Sequence, residues 1–543
     1  MKLASGMSAR LDCLAGFSLR RRMAMAFLAG AVAALGQAPF GLWPMTILGL
    51  ATVRLMAGPL LSPRQAAVLW WAAGAGYFAL ALSWIIEPFL VDVARHGWMA
   101  PFALVLMSAG LALFWGAAGA TAQAVIQGFE PKNARDHFAN EMPKPLGQDL
   151  LFACTITLAF VIFGYVRGVI FTGFPWALPG HVLISTPILQ FAQLGGAMML
   201  TFIIMALAMT LPTLRHRPMV CAPLWAAALA GVLLLGQALT PPIGETAGRP
   251  IVRIVQPNVP QAEKWDPTYS TQHFDRTLAM TAQPAEPGKS PDLIVWPETS
   301  VPAWLDQVPH LMPILSEAAG DKPMIFGINR SDGRRVYNSL VQLGQGGQIS
   351  ATYDKNHLVP FGEYIPLGDI LGRFGLRGMA QRDGNGFSPG PGPDILDIPG
   401  IGATLPLICY EGVFPGDIAA APTRPEVLML ITNDAWFGTI SGPYQHLAQA
   451  RLRAVEQRLP MIRAANTGVS AMIDPAGRIT GALALGNAGI LDLPLPLPGS
   501  APLYSRIGDG PLVLGSLFAL GLIALIRRRR AKRFRVDATQ GDV

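Results

Sequence analysis

The feature that most constrains this chain is the uneven distribution of its long apolar runs. They fill residues 23–240 and 511–526, whereas residues 250–500 have the mixed character of a water-soluble domain. A helix needs roughly 20 apolar residues to cross a bilayer core about 30 Å thick. Only 14% of all residues are charged, against about 25% in a typical soluble domain. The sequence therefore predicts a polytopic α-helical membrane bundle with one large soluble insertion.

Eight segments have the length and hydropathy of membrane spans. The seven before the insertion and the one after it are 23–39, 42–59, 66–87, 100–128, 149–171, 183–211, 220–239 and 510–526. A charge at the centre of a span costs roughly 2.5–3.5 kcal/mol, and Arg54, Glu87 and Arg167 all lie toward span ends. The first segment also has the basic start of a signal peptide. Because seven further spans follow it, we favour an uncleaved helix.

The basic residues predict the orientation of the bundle. Eight spans place both termini on one side, and the tails 1–22 and 527–543 carry "RRR" and "RRRRAKRFR". Basic residues favour the cytoplasmic side of a membrane. We therefore expect both tails in the cytoplasm and the insertion, residues 250–495, on the opposite side. The tails explain the formal net charge of +7, so we expect no nucleic-acid partner.

Within the insertion, short β-branched runs alternate with helix-like stretches. The predicted strands are 251–255, 292–296, 323–329, 339–344, 404–410, 427–433 and 468–474, and a helix is predicted over 445–459. Nearly continuous apolar runs are typical of strands that are buried on both faces. The pattern predicts a layered α/β domain without an internal sequence repeat.

Polar residues follow several of these strands, where α/β domains tend to carry functional groups. Glu298 follows one strand, Lys355 and Glu363 follow another, and Cys409 ends a third. An ordinary thiol has a pKa of about 8.5 and needs a base or a positive field to become a good nucleophile. Glu298 could remove the thiol proton. Lys355 could stabilise the thiolate and an oxyanion together with the backbone N–H of Tyr410.

Each of these residues also has an ordinary structural interpretation. Cys409 is the only cysteine of the insertion, and an isolated cysteine is most often a small buried hydrophobe. Lys355 could be a solvated surface lysine, and Glu298 could lie near a helix N-terminus. Motifs for zinc proteases, Cys-x-x-Cys sites and phosphate-binding loops are absent from the sequence, and the histidines are scattered. We therefore expect neither a metal nor a soluble cofactor.

Taken together, the motifs resemble a known family. The insertion is similar to the nitrilase (carbon–nitrogen hydrolase) superfamily, whose Glu–Lys–Cys triad occurs in that chain order. The whole chain resembles the bacterial apolipoprotein N-acyltransferases. The motifs are QAPFGLWP (37–44), TGFPW (172–176), VQPNVPQAEKW (255–265), WPET (296–299), YDKNHLVPFGEYIP (353–366), ICYE (408–411), NDAWFG (433–438) and RAANTGVS (463–470).

The resemblance implies a four-layer αββα domain on an eight-helix bundle, and it implies a role for each site residue. Glu298 would be the general base, Lys355 the oxyanion stabiliser, Cys409 the nucleophile and Glu363 a supporting acid. Five further positions are implied to bind substrate or support the site: Trp176, Trp265, Tyr410, Glu411 and Trp436.

The resemblance also implies a ping-pong reaction in the bacterial inner membrane, with a periplasmic catalytic domain. Cys409 would take a fatty acyl chain from a phospholipid as a thioester. The α-amine of a diacylglyceryl-cysteine at a lipoprotein N-terminus would then accept the chain. We expect a monomer. Trp304 and residues 366–380 are candidates for an apolar lid.

Two other functions fit parts of the sequence. A membrane-tethered nitrilase-type amidase would use the same three residues to hydrolyse a small amide or ester, but a single anchor would then be enough. A transporter or receptor would bind ligand in the insertion without chemistry. Such a protein usually carries polar residues at mid-membrane depth, and the spans contain few of them.

Overall fold

The computed structural model describes residues 17–58, 61–127, 145–366 and 386–540. The chain forms two compact units. The helical unit comprises Met1–Thr240 and Arg506–Val543, and the α/β unit comprises Pro241–Ser505. All but the first residue of the lid candidate 366–380 lie outside the described residues.

The helical unit contains a long helix at each predicted span. These are α1 (Leu19–Ala34), α2 (Trp43–Met56), α3 (Pro63–Ala81), α4 (Ala100–Gln127), α5 (Pro145–Val169), α6 (Ala192–Thr210), α7 (Pro218–Leu239) and a C-terminal helix (Gly510–Gln540). Within the described residues, five helical stretches are long and apolar enough to cross a membrane. A sixth is α3 together with Ser83–Leu90, which bends by 63°. The count of eight spans remains a prediction, because α2 has only 14 residues.

Glycines bring the helices of this unit into close contact. A Cβ at Gly30 of α1 would lie 1.9 Å from the carbonyl oxygen of Ala73 in α3. A Cβ at Gly76 of α3 would lie equally close, 1.9 Å, to the carbonyl oxygen of Phe27 in α1. Small residues at such crossings let two backbones approach, which is the usual basis of helix association in membranes. The α1–α3 pair therefore depends on these two glycines.

Charged residues gather at one end of the helical unit. Arg54, near the end of α2, and Arg215, after α6, both pair with Asp149 near the start of α5, at 3.0 and 2.8 Å. At the same end Arg22 donates to the carbonyl of Met56, and Arg527 donates to that of Ile126 in the last turn of α4.

The loops at the other end pack through aromatic and amide groups. Gln37, after α1, donates to the carbonyl oxygen of Leu178 at 3.0 Å. Trp84, after α3, packs on Trp176, after α5, with ring centroids 4.7 Å apart. Arg95 lies in the segment between α3 and α4, where Asp92 caps its backbone N–H. The helices thus alternate in direction, and most of the basic residues lie at the Asp149 end.

Within the described residues of the α/β unit, twelve strands form two six-stranded sheets. The strands are β1 (Ile251–Gln256), β2 (Leu293–Val295), β3 (Met324–Ser331), β4 (Val336–Leu343), β5 (Ile349–Asp354), β6 (Leu396–Ile398), β7 (Gly402–Ile408), β8 (Val427–Thr432), β9 (Met461–Ala465), β10 (Ser470–Ile473), β11 (Ile479–Leu483) and β12 (Gly489–Pro494). The first sheet has the order β12-β1-β2-β3-β4-β5, and the second has β6-β7-β8-β9-β10-β11.

The two sheets share one pattern of strand directions. In each, an antiparallel edge strand is followed by three parallel strands and then by two antiparallel strands. The internal repeat that is invisible in the sequence is therefore present in the topology. The reason is that strand order depends on backbone pairing, which many different sequences satisfy.

Helices cover one face of each sheet, and the other face is also buried. Helices α8 (Pro267–Thr281) and α9 (Leu311–Ala318) pack on the first sheet, and α10 (Gly442–Gln457) packs on the second. Alternate residues of the central strands, such as Val252 and Ile254 in β1, are fully buried on the face away from the helices. Contacts of β1 with β9 and β10 join the two sheets, giving the expected αββα layers.

All seven predicted strands are present, although the ends of several differ. The predicted strand 404–410 ends at Ile408, because Cys409 turns the backbone into the left-handed region with φ of 54°. Strands β5, β6, β11 and β12 were not predicted, since they lie at sheet edges and are short or partly exposed. The interior strand β9 was not predicted either, since the charged Arg463 interrupts its short apolar run. The predicted helix 445–459 lies within α10 and the residues that follow it.

Candidate active site

Three strands end at the candidate catalytic residues. Glu298 follows β2, Lys355 follows β5 directly, and Cys409 follows β7 directly. Their exposed fractions are 5%, 1% and 5%, so Lys355 is not a solvated surface lysine. A Cβ at Gly327 of β3 would lie 2.3 Å from the backbone nitrogen of Thr299. Only glycine therefore allows the Glu298 turn to lie against β3.

Hydrogen bonds hold the two carboxylates and Lys355 in one cluster. The ammonium group of Lys355 donates to Glu363 Oε1 at 2.7 Å and lies 3.7 Å from Glu298 Oε1. The amide of Asn338, in β4, donates to Glu298 Oε1 at 2.7 Å and reaches Glu363 Oε1 at 3.4 Å. Glu298 Oε2 accepts the backbone N–H of Asn433 at 2.8 Å. Both oxygens of Glu298 are thereby fixed in position.

Burial and the neighbouring charges set the protonation states. Burial alone would lower the pKa of Lys355, but Glu363, Glu298 and Cys409 outweigh it and raise the pKa above the usual lysine value. Burial and the charge of Glu298 raise the pKa of the Cys409 thiol, while Lys355 opposes that rise. The resting arrangement is a charged lysine beside a protonated thiol, so the thiol needs a base at the moment of attack.

Glu411 links the Cys409 turn to the Lys355 turn. Its Oε2 accepts the backbone N–H of Ile408 at 2.7 Å. Its Oε1 accepts the hydroxyl of Tyr353 at 2.8 Å and the backbone N–H of Asn356 at 2.7 Å. Burial raises the pKa of Glu411 to about 7, although the backbone donors oppose this. Because its partners come from β7 on one side and β5 on the other, Glu411 ties one sheet to the other next to the nucleophile.

Lys264 is a site residue that the sequence reasoning missed. Its side chain is 5% exposed, and it donates to the backbone oxygen of Glu298 at 3.1 Å. Burial lowers the pKa of Lys264 to about 8, with Glu298 and Cys409 opposing the shift. Lys264 and Glu298 line a small pocket together with Pro257 and Asn466. The signal was the motif QAEKW, in which only the tryptophan was singled out.

The remaining predicted positions divide into three groups. Tyr410 is buried and packs edge-on against Phe414, with centroids 4.8 Å apart. Trp265 is 45% exposed, and Trp436 and Trp304 are half-buried in the α/β unit. Trp176 is buried in the helical unit. Their roles remain predictions. In the described ranges, no three histidine, cysteine or acidic side chains are grouped to hold a metal ion.

Both parts of the chain match known families. Residues 251–501 match the carbon-nitrogen hydrolase family, and residues 29–210 match the apolipoprotein N-acyltransferase N-terminal domain. An amidase from Nesterenkonia sp. of known structure is 18% identical, with a TM-score of 0.35, and the match covers 51% of this chain and 99% of the amidase. By the family match over residues 251–501, the α/β unit is a carbon–nitrogen hydrolase domain, and the chain also has several helices able to cross a membrane.

Relatives of full length define the family more narrowly. The apolipoprotein N-acyltransferase of Brucella melitensis biotype 1 is 36% identical over 537 residues, which cover 94% of this chain and 97% of the relative. That of Caulobacter vibrioides is 37% identical over 509 residues, covering 90% of this chain and 91% of the relative. This chain belongs to the apolipoprotein N-acyltransferase family.

Proposed function

We propose that this chain is a bacterial membrane acyltransferase that moves a fatty acyl chain from a phospholipid to the N-terminal amine of an apolipoprotein. Family membership over nearly the whole chain supports the reaction. The observation within the molecule that carries the proposal is the buried cluster of Glu298 and Lys355, whose charges both act on the Cys409 thiol.

In the first half-reaction, Glu298 takes the proton of Cys409 as the sulfur attacks the ester carbonyl of the phospholipid. Negative charge develops on the carbonyl oxygen, and the ammonium of Lys355 stabilises it in a site that excludes water. The C–O bond then breaks, and the departing glycerol oxygen takes the proton from Glu298. The products are a lysophospholipid and an acyl thioester on Cys409.

In the second half-reaction, the neutral α-amine of a diacylglyceryl-cysteine attacks the thioester carbonyl. Glu298 removes a proton from the amine and returns it to the sulfur as the C–S bond breaks. Glu363 holds Lys355 in place through the 2.7 Å hydrogen bond. The products are an N-acylated lipoprotein and the free thiol. An amide replaces a more reactive thioester, which drives the transfer.

The substrates explain why such a site belongs to a membrane chain. Each CH₂ group of an acyl chain gains roughly 0.8 kcal/mol from burial, so neither substrate leaves the bilayer readily. We propose that residues 23–240 and 510–526 form the membrane bundle and that residues 250–495 form a periplasmic catalytic domain. The placement of Arg22, Arg54 and Arg215 at one end of the helical unit supports cytoplasmic termini.

The test is intact-protein mass spectrometry of the purified enzyme with phospholipid of known acyl composition. Cys409→Ala is run in parallel, and a diacylglyceryl-cysteinyl peptide is then added. We expect a mass gain of one acyl chain that requires Cys409 and is lost as the peptide becomes N-acylated. An adduct that water discharges equally fast without peptide would support the amidase instead. Normal transfer by Cys409→Ala would refute the mechanism.

A further inference from the structure

A second cluster of buried charges lies next to the nucleophile, and the proposed reaction does not use it. It consists of Asp434, after β8, His446, in α10, and Arg463, in β9, and none of their side chains is more than 1% exposed. Arg463 donates to Asp434 Oδ2 at 2.5 Å. Asp434 Oδ1 accepts the hydroxyl of Thr432 at 2.9 Å and lies 2.9 Å from His446 Nδ1.

His446 connects this cluster to the main chain of the nucleophile. Its Nε2 lies 3.2 Å from the backbone oxygen of Cys409. A carbonyl oxygen only accepts hydrogen bonds, so Nε2 carries the proton of this contact. Because Asp434 contacts the opposite nitrogen of the ring, the imidazole is fixed from both sides.

The hydrogen bond from His446 matters at Cys409 because the backbone of this residue has a strained conformation. Its φ of 54° is in the left-handed region, where a residue with a Cβ is strained by roughly 1–2 kcal/mol. The five residues Cys409–Val413 then form a 3₁₀ turn. Arg453, two turns after His446 in α10, donates to the carbonyl oxygen of Val413 at 3.2 Å. Helix α10 therefore contacts both ends of the nucleophile turn.

We propose that His446 is a positioning residue for the acyl transfer. By donating from Nε2 to the Cys409 carbonyl oxygen, it holds the left-handed turn that directs the sulfur toward Glu298 and Lys355. Asp434 and Arg463 fix the plane of the ring and do not touch the reacting atoms. The inference rests on the proposed function only in taking Cys409 as the nucleophile.

Three variants of α10 separate positioning from general stability. His446→Leu removes the donor but leaves an apolar side chain. His446→Gln restores an N–H donor, because its amide nitrogen can occupy the place of Nε2. Leu447→Ala is the matched control. Leu447 packs in the hydrophobic core on the helix-covered face of the second sheet.

Two rates are measured for each variant: acylation of Cys409 in a single turnover, and alkylation of Cys409 by iodoacetamide, followed at the peptide level. A displacement of about 1 Å at a reacting group can slow a reaction about 100-fold. We expect His446→Leu to acylate roughly 10- to 100-fold more slowly and His446→Gln to recover most of that loss. Leu447→Ala should lower the melting temperature but keep the wild-type rate per folded molecule.

Two results would overturn the inference. One is a His446→Gln rate no better than that of His446→Leu. The other is an equal loss in Leu447→Ala, which would mean that stability alone sets the rate. If the wild-type protein forms no acyl-enzyme, the proposed function fails, but the order of the three alkylation rates still tests the positioning role.

Discussion

The two halves of the α/β unit, one for each six-stranded sheet, have the same strand pattern but carry different groups at corresponding strand ends. In each half an acidic residue follows the second of the three parallel strands: Glu298 after β2 and Asp434 after β8. Both are buried. Glu298 faces an amide, a backbone N–H and a lysine 3.7 Å away. Asp434 faces an arginine, a histidine and a hydroxyl.

The partners of Asp434 keep this carboxylate ionised. Burial would raise the pKa of Asp434, but Arg463 and His446 outweigh it and lower the pKa to about 2. A guanidinium group stays charged at every relevant pH, so Asp434 stays ionised as well. Glu298 has no such partner. The cation nearest to its carboxylate is the ammonium group of Lys355, 3.7 Å from Oε1. Under the proposed mechanism the first half of the unit supplies the base and the lysine, and the second half supplies the nucleophile Cys409 together with a fixed charge pair beside it.

Glu298→Gln should give the largest effect on activity. The glutamine keeps an oxygen for the Asn433 N–H but cannot take the thiol proton. Loss of a general base lowers the rate by about 10²- to 10⁴-fold. The acylation rate constant, measured by intact mass, checks this, with the exposed Glu286→Gln as control. A near-normal rate with Glu298→Gln would assign the base elsewhere.

Lys355→Met should come next, because it removes the cation that stabilises the oxyanion and leaves Glu363 without its 2.7 Å partner. Removing one such group typically costs a factor of about 10² to 10³ in rate. The same single-turnover assay measures it. Lys289→Met, which changes an exposed lysine, should have no effect. If both variants slowed the reaction equally, net charge rather than position would be responsible.

Asp434→Asn should act mainly on stability, in contrast to Glu298→Gln. Asparagine leaves the fully buried Arg463 without a counter-charge, and breaking a buried pair costs about 3–5 kcal/mol. For a unit of this size the melting temperature should fall by about 10 °C. Thermal unfolding in detergent measures the change. A melting temperature within 2 °C of wild type corresponds to a change in the free energy of unfolding on the order of 1 kcal/mol. That result would show that the Asp434–Arg463 ion pair contributes little to stability.

The same carboxylate also predicts a pH dependence. The pKa of Asp434 is about 2 when folded and 3.8 by its ordinary value. A lowered carboxyl pKa stabilises the protein above pH 3.8, and this stabilisation is lost as the pH falls toward 2. The wild type should therefore lose about 2 kcal/mol more than Asp434→Asn between pH 5 and 2. Parallel pH–stability curves would contradict this.

Lys264→Met should have the smallest effect on the acylation rate, and the effect should depend on pH. The pKa of Lys264 is about 8, so acylation should slow as the pH rises through 8 and the positive charge beside Cys409 is lost. Between pH 8 and 10.5 the unfolded chain binds more protons than the folded one, so stability should rise while activity falls. Both trends should disappear in Lys264→Met. Their persistence would assign them to another group.

The sequence predicted the division of the chain and much of the α/β unit, because both depend on local patterns. Apolar runs identified the helical segments, and β-branched runs identified seven strands. Glu298, Lys355 and Cys409 were placed after strands, where α/β domains tend to carry functional groups, although the strand that precedes Lys355, β5, was itself not predicted. Strands β5, β6, β11 and β12 were missed because they are edge strands without a continuous apolar pattern. Strand β9 is interior, but it has only five residues and the charged Arg463 interrupts its apolar run.

The partners of these residues were decided by the tertiary structure alone. Asn338 lies 40 positions from Glu298, and Asn433 lies 135 positions from it. Cys409 is 37 positions from His446, the residue that contacts its carbonyl. Side-chain type and spacing along the chain carry no information on such pairs, because the order and stacking of the two sheets set them. The sequence by itself determined which residues can do the chemistry, and the packing of the sheets decided which of them meet.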